Sequence, residues 1–389
     1  MAFYRCGGGG KSAKKLFGYR LYNANSDPSA RVTYLADNAT FANAHMDYAN
    51  DRFVYGGWAD AFFLPRPCML KYNGIVDYYL NPNDYTKKLD DSASDIANTS
   101  YGGNAMMEWP KIYVKRVVTG SYYEFYCSNY KADDDFVPWS NYNKAGETNR
   151  FYTPIYFGSY DGTRLRSLSG QANMVSTTAQ QERDRAQANG DGWDIETMAD
   201  RLLICDLLVL MAKTTDTETA FGGGVNAAIA PGTMNAKGLF WGSSDGRGVK
   251  VFGMENWWGN IWHRIVGYIV DNGTQKIKLT VGTQDGSTVD GYNLTGAGYV
   301  AISDSTISGT NGGYISKMKN TKFGRLPLTT SGSSTTYECD ACWFANSGTY
   351  VALFGGNWAS PKMVGAFCAN VNGTAAVVRN YIGAAPSYK

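Results

Sequence analysis

The chain has 389 residues, a formal net charge of +2, and 44% hydrophobic against 18% charged residues. This balance predicts a globular protein with a buried core and excludes a largely disordered chain. A charge this close to zero, without a domain-sized basic stripe, argues against nucleic acid as a partner.

The N-terminal segment carries basic residues around the glycine run at positions 7–10. It lacks a continuous apolar stretch, so the sequence predicts synthesis in the cytoplasm without a signal peptide. Arg5 stands where a phosphate-binding loop needs glycine, which argues against nucleotide binding. The best apolar run, 202–211, is too short for a membrane span and contains Asp206. We therefore expect no membrane insertion.

The reactive side chains give no catalytic or metal-binding motif. Cys339 and Cys342 have metal-knuckle spacing, but no second pair completes a zinc site. Neither His45 nor His263 accompanies a nucleophile motif. The sequence thus predicts no catalytic residue, no metal and no cofactor, with a carboxylate pair for glycan cleavage left as the enzymatic alternative. The odd, irregular cysteine set argues against a disulfide framework, at positions 6, 68, 127, 205, 339, 342 and 368.

Residues 1–105 are rich in Tyr, Asn, Asp and Gly and show no long helical period. Short apolar runs such as 53–55 and 61–64 are broken by glycine pairs and by Pro65 and Pro67. We interpret this stretch as a β-rich N-terminal module for attachment or assembly.

A second unit, residues 106–389, is predicted from its clearer elements. Residues 112–114 and 122–127 have the β-branched and aromatic content of a strand and its hairpin partner. The acidic run 133–135 lacks the ligand spacing of a calcium loop, and we interpret it as a solvated turn.

Two helices are predicted in the middle of the chain. Thr177 and Thr178 with Gln180 and Gln181 resemble a capping box that opens a polar helix ending at residues 189–190. Asp194 is expected to cap the second helix, with Trp193 at its entrance. The apolar positions of the second helix start on one side at Ile195 and become continuous toward Leu207, which predicts a buried core helix.

Strands and turns are expected from about residue 222 onward, at 250–252, 276–281, 350–354 and 365–371. Strong turn signals separate the runs at 271–273, 285–286 and 311–313. The predicted fold class is therefore α+β: two helices plus short antiparallel strands, preceded by the β-rich module.

Three stretches together resemble one protein family. Residues 191–201 resemble its core helix, and residues 255–262 resemble its tryptophan turn. Phe-Gly-Gly-Asn-Trp at 354–358, followed by 365–367 and 382–384, resembles its C-terminal signature. That signature is a Gly-Gly-x-Trp turn, a Gly-x-Phe strand and an Ile-Gly strand.

The family is the variable proteins of diversity-generating retroelements, which include phage tropism determinants. The resemblance covers about residues 106–389 and implies a C-type-lectin fold, related to that of formylglycine-generating enzymes. It also implies error-prone copying of a template at adenines, which rewrites codons near the 3′ end of the gene. The residues expected to form the fixed scaffold are Trp193, Trp257, Trp258, Trp262, Gly355, Gly356, Trp358, Ile382 and Gly383.

The resemblance places the variable, ligand-binding positions in the region of about 338–389. The upstream patch comprises Asp340, Ala341, Phe344, Ala345, Asn346, Ser347, Gly348 and Tyr350. The loop after the Gly-Gly turn comprises Asn357, Ala359, Ser360, Pro361, Lys362 and Met363. The last set is Cys368, Asn370, Asn372, Gly373, Val377, Val378, Arg379 and Tyr381.

The composition of this C-terminal segment suits a binding surface. Residues 340–389 hold one acid and three bases, and interface centres are depleted in charge. Aromatic, Met and Arg anchors are present, at Trp343, Phe344, Tyr350, Trp358, Met363, Arg379 and Tyr381. On the strand 365–371, alternation predicts Phe367, Ala369 and Val371 inward and Ala366, Cys368 and Asn370 outward.

Two departures from the family pattern limit what the resemblance implies. Phe354 and Ala385 stand where the family often has framework arginines. The single side-chain carboxylate after residue 339 disfavours calcium-dependent sugar binding.

The resemblance predicts a non-enzymatic phage receptor-binding adhesin of the tail tip or fibre, located in the virion. Its partners would be a bacterial cell-surface receptor, protein or glycan, and other virion tail proteins. A homotrimer is expected because tail adhesins of this kind are threefold. Two alternatives stay open: a glycan-cleaving tail enzyme or oxidase of the related fold, and a structural tail protein without a receptor of its own.

Overall fold

The computed structural model describes residues 13–143, 145–278 and 299–389. The predicted N-terminal glycine run, Cys6, the strand residues Leu279 and Val281 and the turn at 285–286 lie outside these ranges. The described residues form a β-rich fold with three α-helices: α1 Ala179–Gln187, α2 Met198–Ala212 and α3 Thr217–Phe221. A single 3-10 turn spans Gly56–Trp58. No helix in the described ranges is long and apolar enough to cross a bilayer.

Helix α1 begins with the predicted capping box. The Thr178 hydroxyl accepts from the Gln181 backbone N–H, and the Gln181 side chain accepts from the Thr178 backbone N–H. These bonds satisfy backbone donors that a helix start leaves without partners. The prediction for this helix is confirmed.

Helix α2 starts later than predicted. Asp194 lies in the strand Trp193–Ile195, and the N-cap is Thr197, whose side chain accepts from the Asp200 backbone N–H. Asp194 instead forms a buried ion pair with Arg183 at 2.8 Å, so the prediction that it caps α2 was wrong. All fifteen residues of α2 are buried, which confirms a core helix surrounded by protein.

A seven-stranded sheet joins the beginning, middle and end of the chain. The boundary predicted at 105/106 falls inside Gly103–Pro110, which pairs with Arg66–Lys71 on one side and Arg150–Pro154 on the other. The predicted division at this point therefore does not correspond to separate sheets. The order of the strands is Trp193–Ile195, Pro386–Tyr388, Arg150–Pro154, Gly103–Pro110, Arg66–Lys71, Val76–Asn81 and Asp84–Lys88.

A four-stranded antiparallel sheet also crosses the predicted boundary. Leu16–Tyr22 pairs with Tyr122–Ser128. Tyr122–Ser128 also pairs with Tyr113–Val118, which confirms the predicted hairpin. Val32–Ala36 forms the other edge. Lys115 holds Asp133 and Asp135 at 2.9 Å each, in the acidic run after this hairpin.

The third large sheet carries the C-terminal region. Asn272 and Gly273 have positive φ and form the predicted two-residue hairpin turn. The sheet order is Val300–Ala301, Thr274–Ile277, Trp262–Asp271, Thr349–Phe354, Ala369–Gly373, Ala341–Phe344 and Gly313–Tyr314, with Ile382–Gly383 parallel to Trp262–Asp271.

The remaining strands form five small sheets among the described residues, and the one that contains Val249–Val251 is buried. One three-stranded sheet consists of Trp241–Gly242, Val249–Val251 and Met254–Glu255. A second consists of Ser308–Gly309, Gly324–Thr330 and Lys317–Thr321. Three are two-stranded: His45–Asp47 with Arg52–Val54, Tyr142–Asn143 with Gly146–Glu147, and Ser159–Tyr160 with Leu165–Arg166.

One large apolar core runs through the molecule. It includes Phe17 and Trp58 near the start, α2 in the middle and Ile382 near the end. Burial of apolar surface is the main favourable contribution to folding, so the N-terminal strands stabilise the C-terminal region directly.

Candidate functional site

The tryptophan turn, residues 255–262, is buried and supports the C-terminal region. Trp257, Trp258 and Trp262 are 1%, 0% and 4% exposed. Their indole groups need hydrogen-bond acceptors: Trp257 donates to Glu196 at 3.2 Å and Trp258 to the Gly222 carbonyl at 3.0 Å. These contacts fix the turn against the segments around α2 and α3.

The Gly355–Gly356 turn needs glycine at both positions. Their φ values are +88° and +73°, in the left-handed region. A Cβ on Gly355 would lie 2.8 Å from the Trp257 carbonyl oxygen, and one on Gly356 2.2 Å from Cγ1 of Val364. The turn therefore packs tightly between the tryptophan turn and the loop that follows.

Three aromatic residues from separate segments are linked to the tryptophan turn, one through its ring and two through their backbone. The Trp343 ring meets Trp262 edge-on, with ring centres 5.5 Å apart. The Trp262 backbone N–H donates to the Tyr381 carbonyl at 2.9 Å, and the Tyr381 ring packs on Trp358 at 6.1 Å. Trp343, Trp358 and Tyr381 are half-buried. We call these three residues the aromatic face.

The loop that follows the Gly-Gly turn is held at its base. The Trp358 backbone N–H donates to the Asn260 carbonyl at 3.2 Å, and the Ala341 N–H to the Met363 carbonyl at 3.1 Å. The Tyr314 hydroxyl donates to the Lys362 carbonyl at 3.1 Å. These bonds leave the side chains of residues 359–363 exposed or half-buried.

The loop at residues 374–380 is anchored to α1. Arg264 donates to the Val377 carbonyl at 3.0 Å and pairs with Glu182 of α1 at 2.7 Å. The Ala179 N–H donates to the Ala375 carbonyl at 2.9 Å. Backbone anchoring of this kind leaves side chains at the loop tip free to differ without disturbing the fold.

The upstream patch rests on the hairpin turn at 271–273. Gly348 and Asn272 exchange hydrogen bonds, and the Asn346 amide donates to the Ile307 carbonyl at 2.9 Å. Tyr350 donates its hydroxyl to the Ser347 carbonyl. Asn346 and Ser347 are exposed.

Most predicted variable positions lie at the surface, and four do not. Asp340, Ala341 and Cys368 are 0% exposed and Asn357 is 6% exposed, so these four cannot contact a partner. Asn357 instead shapes its own loop by accepting from the Ala359 N–H at 3.1 Å. The exposed or half-buried positions are Phe344, Ala345, Asn346, Ser347, Gly348, Tyr350, Ala359, Ser360, Pro361, Lys362, Met363, Asn370, Asn372, Gly373, Val377, Val378, Arg379 and Tyr381.

The predicted strand at 365–371 begins later, at Ala369. Phe367 and Val371 are buried as predicted, but the outward placement of Ala366 and Cys368 was wrong. Ala366 lies in a turn and donates its N–H to the Thr217 hydroxyl at 3.0 Å. Asn370 is half-buried and does reach the surface.

Burial also reduces the number of charged side chains on the surface formed by residues 340–389. Asp340 is buried, and desolvation raises the pKa of its carboxyl well above the usual value. Lys389 is buried beside Asp200 at 3.0 Å. Lys362 and Arg379 are then the exposed charges of residues 340–389. The surface is almost uncharged, as the centre of a protein interface tends to be.

His263, Cys339 and Cys342 are all buried. His263 is buried, and its Nδ1 atom lies 2.7 Å from Oε2 of Glu196. Desolvation alone would raise the pKa of Glu196, but the imidazole beside it lowers that pKa overall. Cys339 and Cys342 are buried free thiols, as are the other cysteines of the described ranges. Within those ranges no group of three or more His, Cys, Asp or Glu side chains could hold a metal ion.

The Major Tropism Determinant U1 variant is a solved structure similar to this chain. The two are 13% identical, with 84% of this chain and 71% of that chain covered and a TM-score of 0.28. No family model matches the chain, and no curated protein matches it. The proposed function draws on the sequence motifs at 191–201, 255–262 and 354–384 together with the geometry of this chain.

Sequence reasoning missed two features near the site. Arg201 was placed only within the core-helix motif, yet its guanidinium packs against Trp257 beside the Gly-Gly turn. Glu218 was not singled out, although it lines a cleft next to Lys362. No local motif marks either residue, because both depend on contacts distant in sequence.

Proposed function

We propose that this chain is a phage receptor-binding adhesin whose C-terminal surface, built on a C-type-lectin fold, is diversified by a retroelement. The chain would act in the virion tail, without enzymatic activity of its own. It would recognise a bacterial cell-surface receptor, and its N-terminal strands would join other tail proteins.

The observation that carries the proposal is the meeting of three sequence segments on one support. Trp343, Trp358 and Tyr381 come from the three predicted variable segments, and each is linked to the tryptophan turn by a ring contact or through the backbone. Their supports, Trp262 and Asn260, are buried. Side chains can therefore change at the surface while the support remains, as in antibody loops.

The chemistry of the surface fits protein or glycan recognition. Half-buried aromatic rings supply large contact area at a low cost in conformational entropy. The exposed loops add amides and hydroxyls, among them Asn346, Ser347 and Ser360. A trimer would present three such surfaces, and multivalency raises avidity by about 10²–10⁴ without new contacts.

Sequencing the 3′ end of the gene across many virions of one lineage tests diversification. We expect amino-acid changes at surface positions such as Ala359, Lys362 and Val378. Trp262, Gly355 and Gly356 should stay unchanged, because they form the support. A uniform 3′ end without a near-identical template repeat nearby would refute the retroelement part of the proposal.

Adsorption assays test receptor binding separately. Virions that carry Trp343→Ala with Tyr381→Ala should adsorb to host cells at least about tenfold more slowly than the parent, since interface energy concentrates in a few aromatic anchors. The matched control is Tyr160→Ala, at an aromatic residue 43% exposed and outside both the aromatic face and the N-terminal strands. Equal adsorption by all three virions would leave a tail protein without a receptor of its own.

A further inference from the structure

A cleft of about 400 Å³ opens next to the loop 359–363, where Pro361 and Lys362 form one wall. The other walls are Tyr48, Glu218 of α3 and the backbone of Gly223, Gly224 and Gly246. A second hollow of about 470 Å³ adjoins it through Asn226 and Gly246 and contains Trp241. Each hollow is within the size range of small-molecule sites.

Glu218 presents an unused carboxyl group to this cleft. It is partly buried, and no described residue donates a hydrogen bond to its carboxyl oxygens. Burial, with added repulsion from Asp340 and Asp216, raises the pKa of Glu218 to about 9. At neutral pH the group is therefore an uncharged acid, which offers one O–H donor and one carbonyl acceptor.

The other polar groups of the cleft are mostly uncharged. The Tyr48 hydroxyl donates to the carbonyls of Glu218 and Thr219, and its oxygen keeps lone pairs that can accept. Asp245 is neutralised by Arg247 at 2.9 Å. Lys362 is the cation among the lining residues. The walls thus mix donors and acceptors with little net charge.

We propose that this cleft binds an uncharged, hydroxyl-rich ligand, a carbohydrate, through Glu218, Tyr48 and Asn226. A metal cation would need ionised carboxylates, and an anion would need more than one cation on the walls. Hydroxyl groups suit both the acid and the amide, because they donate and accept. The site is separate from the aromatic face and does not depend on the proposed receptor.

The position of the cleft has a consequence for variation. Pro361 and Lys362 are predicted variable positions, whereas Tyr48, Glu218 and Asn226 lie far upstream of the variable region. Sequence changes in the loop would therefore alter the rim and leave the hydrogen-bonding floor unchanged. Chains with different loops would therefore bind the same sugar in the floor of the cleft but prefer different groups attached to that sugar.

Binding should depend on pH through Glu218. The charged or titratable groups around it are Asp216, Asp245, Asp340, Lys362, Tyr48, Tyr314 and the buried thiols of Cys339 and Cys368. Below about pH 9 the acid keeps its proton and can donate to a sugar oxygen. Above that pH it ionises, loses its donor and must give up hydration on binding, so affinity should fall.

The test measures binding of neutral tri- to pentasaccharides of glucose, galactose and N-acetylglucosamine to the full chain by biolayer interferometry at pH 6–10. We expect at least one to bind with a Kd of roughly 1 mM or lower. Glu218→Leu should weaken that saccharide by about tenfold or more, because both hydrogen bonds are lost. Glu218→Gln should keep its affinity within about threefold and lose the decline above pH 9.

Two further variants locate the site. Ser244→Trp places a large ring on an exposed lining residue and should abolish binding without touching the core. Tyr381→Ala should bind the saccharide as the parent does, and thermal unfolding checks that each variant is folded. Absence of binding to every saccharide, or unchanged binding by Glu218→Leu and Ser244→Trp, would overturn the proposal. Loss with Tyr381→Ala alone would assign the sugar to the aromatic face instead.

Discussion

The guanidinium carbon of Arg201 lies 3.5 Å from the centre of the Trp257 ring and 5.1 Å from that of Phe354. Arg201 is 2% exposed, and desolvation lowers the pKa of its guanidinium. Its Nε and Nη2 atoms have no hydrogen-bond partner among the described residues. The rings of Trp257 and Phe354 therefore hold the Arg201 cation beside the Gly355–Gly356 turn.

Arg201→Ala should lower the free energy of unfolding by about 2–4 kcal/mol, because it leaves a cavity against two aromatic rings. Arg201→Met should cost less, since it fills similar space and removes a desolvated charge. Urea unfolding of both variants measures the difference. If Met were as damaging as Ala, the positive charge rather than the packing would stabilise the turn.

Gly356→Ala should destabilise the protein by about 2–4 kcal/mol, from a positive φ and a Cβ that meets Val364. Gly373→Ala is the matched control, because nothing lies within 4 Å of its added Cβ and its φ is not in the left-handed region. Thermal unfolding should give a clearly lower melting temperature for Gly356→Ala than for Gly373→Ala. Equal melting temperatures would contradict the tight turn described above.

Val378→Lys combined with Arg379→Glu should change host adsorption while the melting temperature stays within about 2 °C of the parent. Both residues are exposed at the tip of the loop anchored by Arg264. Replacing Arg264 by Met should instead lower stability, because it leaves the buried Glu182 without its partner. A lower melting temperature of the double variant would show that Val378 and Arg379 contribute to stability, contrary to this prediction.

Glu218→Gln should stabilise the protein at pH 8 by about 1 kcal/mol or more, and have no effect near pH 4. The raised pKa of about 9 means that the folded state keeps a proton that the unfolded chain releases above about pH 4.5. Folding stability therefore falls as pH rises between these values, and glutamine removes that loss. Asp245→Asn, at an exposed carboxyl whose pKa is lowered by Arg247, is the control that should show no such gain. Melting curves from pH 4 to 9 give the comparison.

Local patterns in the sequence predicted local structure well. The capping box at Thr178, the largely apolar helix α2 and the Asn272–Gly273 turn were each recognisable, because neighbouring residues determine them. The start of α2 was misplaced since Asp194 and Thr197 are both good caps. The buried pairing of Asp194 with Arg183 decides between them, and no local signal reveals it.

The sheets were harder to predict because their partners are distant. Pro386–Tyr388 lies between Trp193–Ile195 and Arg150–Pro154, so a division near residue 105 based on composition could not reveal the shared sheet. Most of the predicted variable positions are exposed or half-buried, and their role in binding stays a prediction. Alternation alone assigned Cys368 outward, but the turn before Ala369 reverses that assignment and buries the thiol.

The central strand of the C-terminal surface makes its positions interdependent. Asn370 is the register partner of Trp343 on one neighbouring strand and of Leu353 on the other. Cross-strand partners interact energetically, so the effect of a substitution at one depends on the residue at the other. The unvaried neighbours Trp343 and Leu353 would therefore limit which residues position 370 can accept, and the usable repertoire would be smaller than the number of codon combinations.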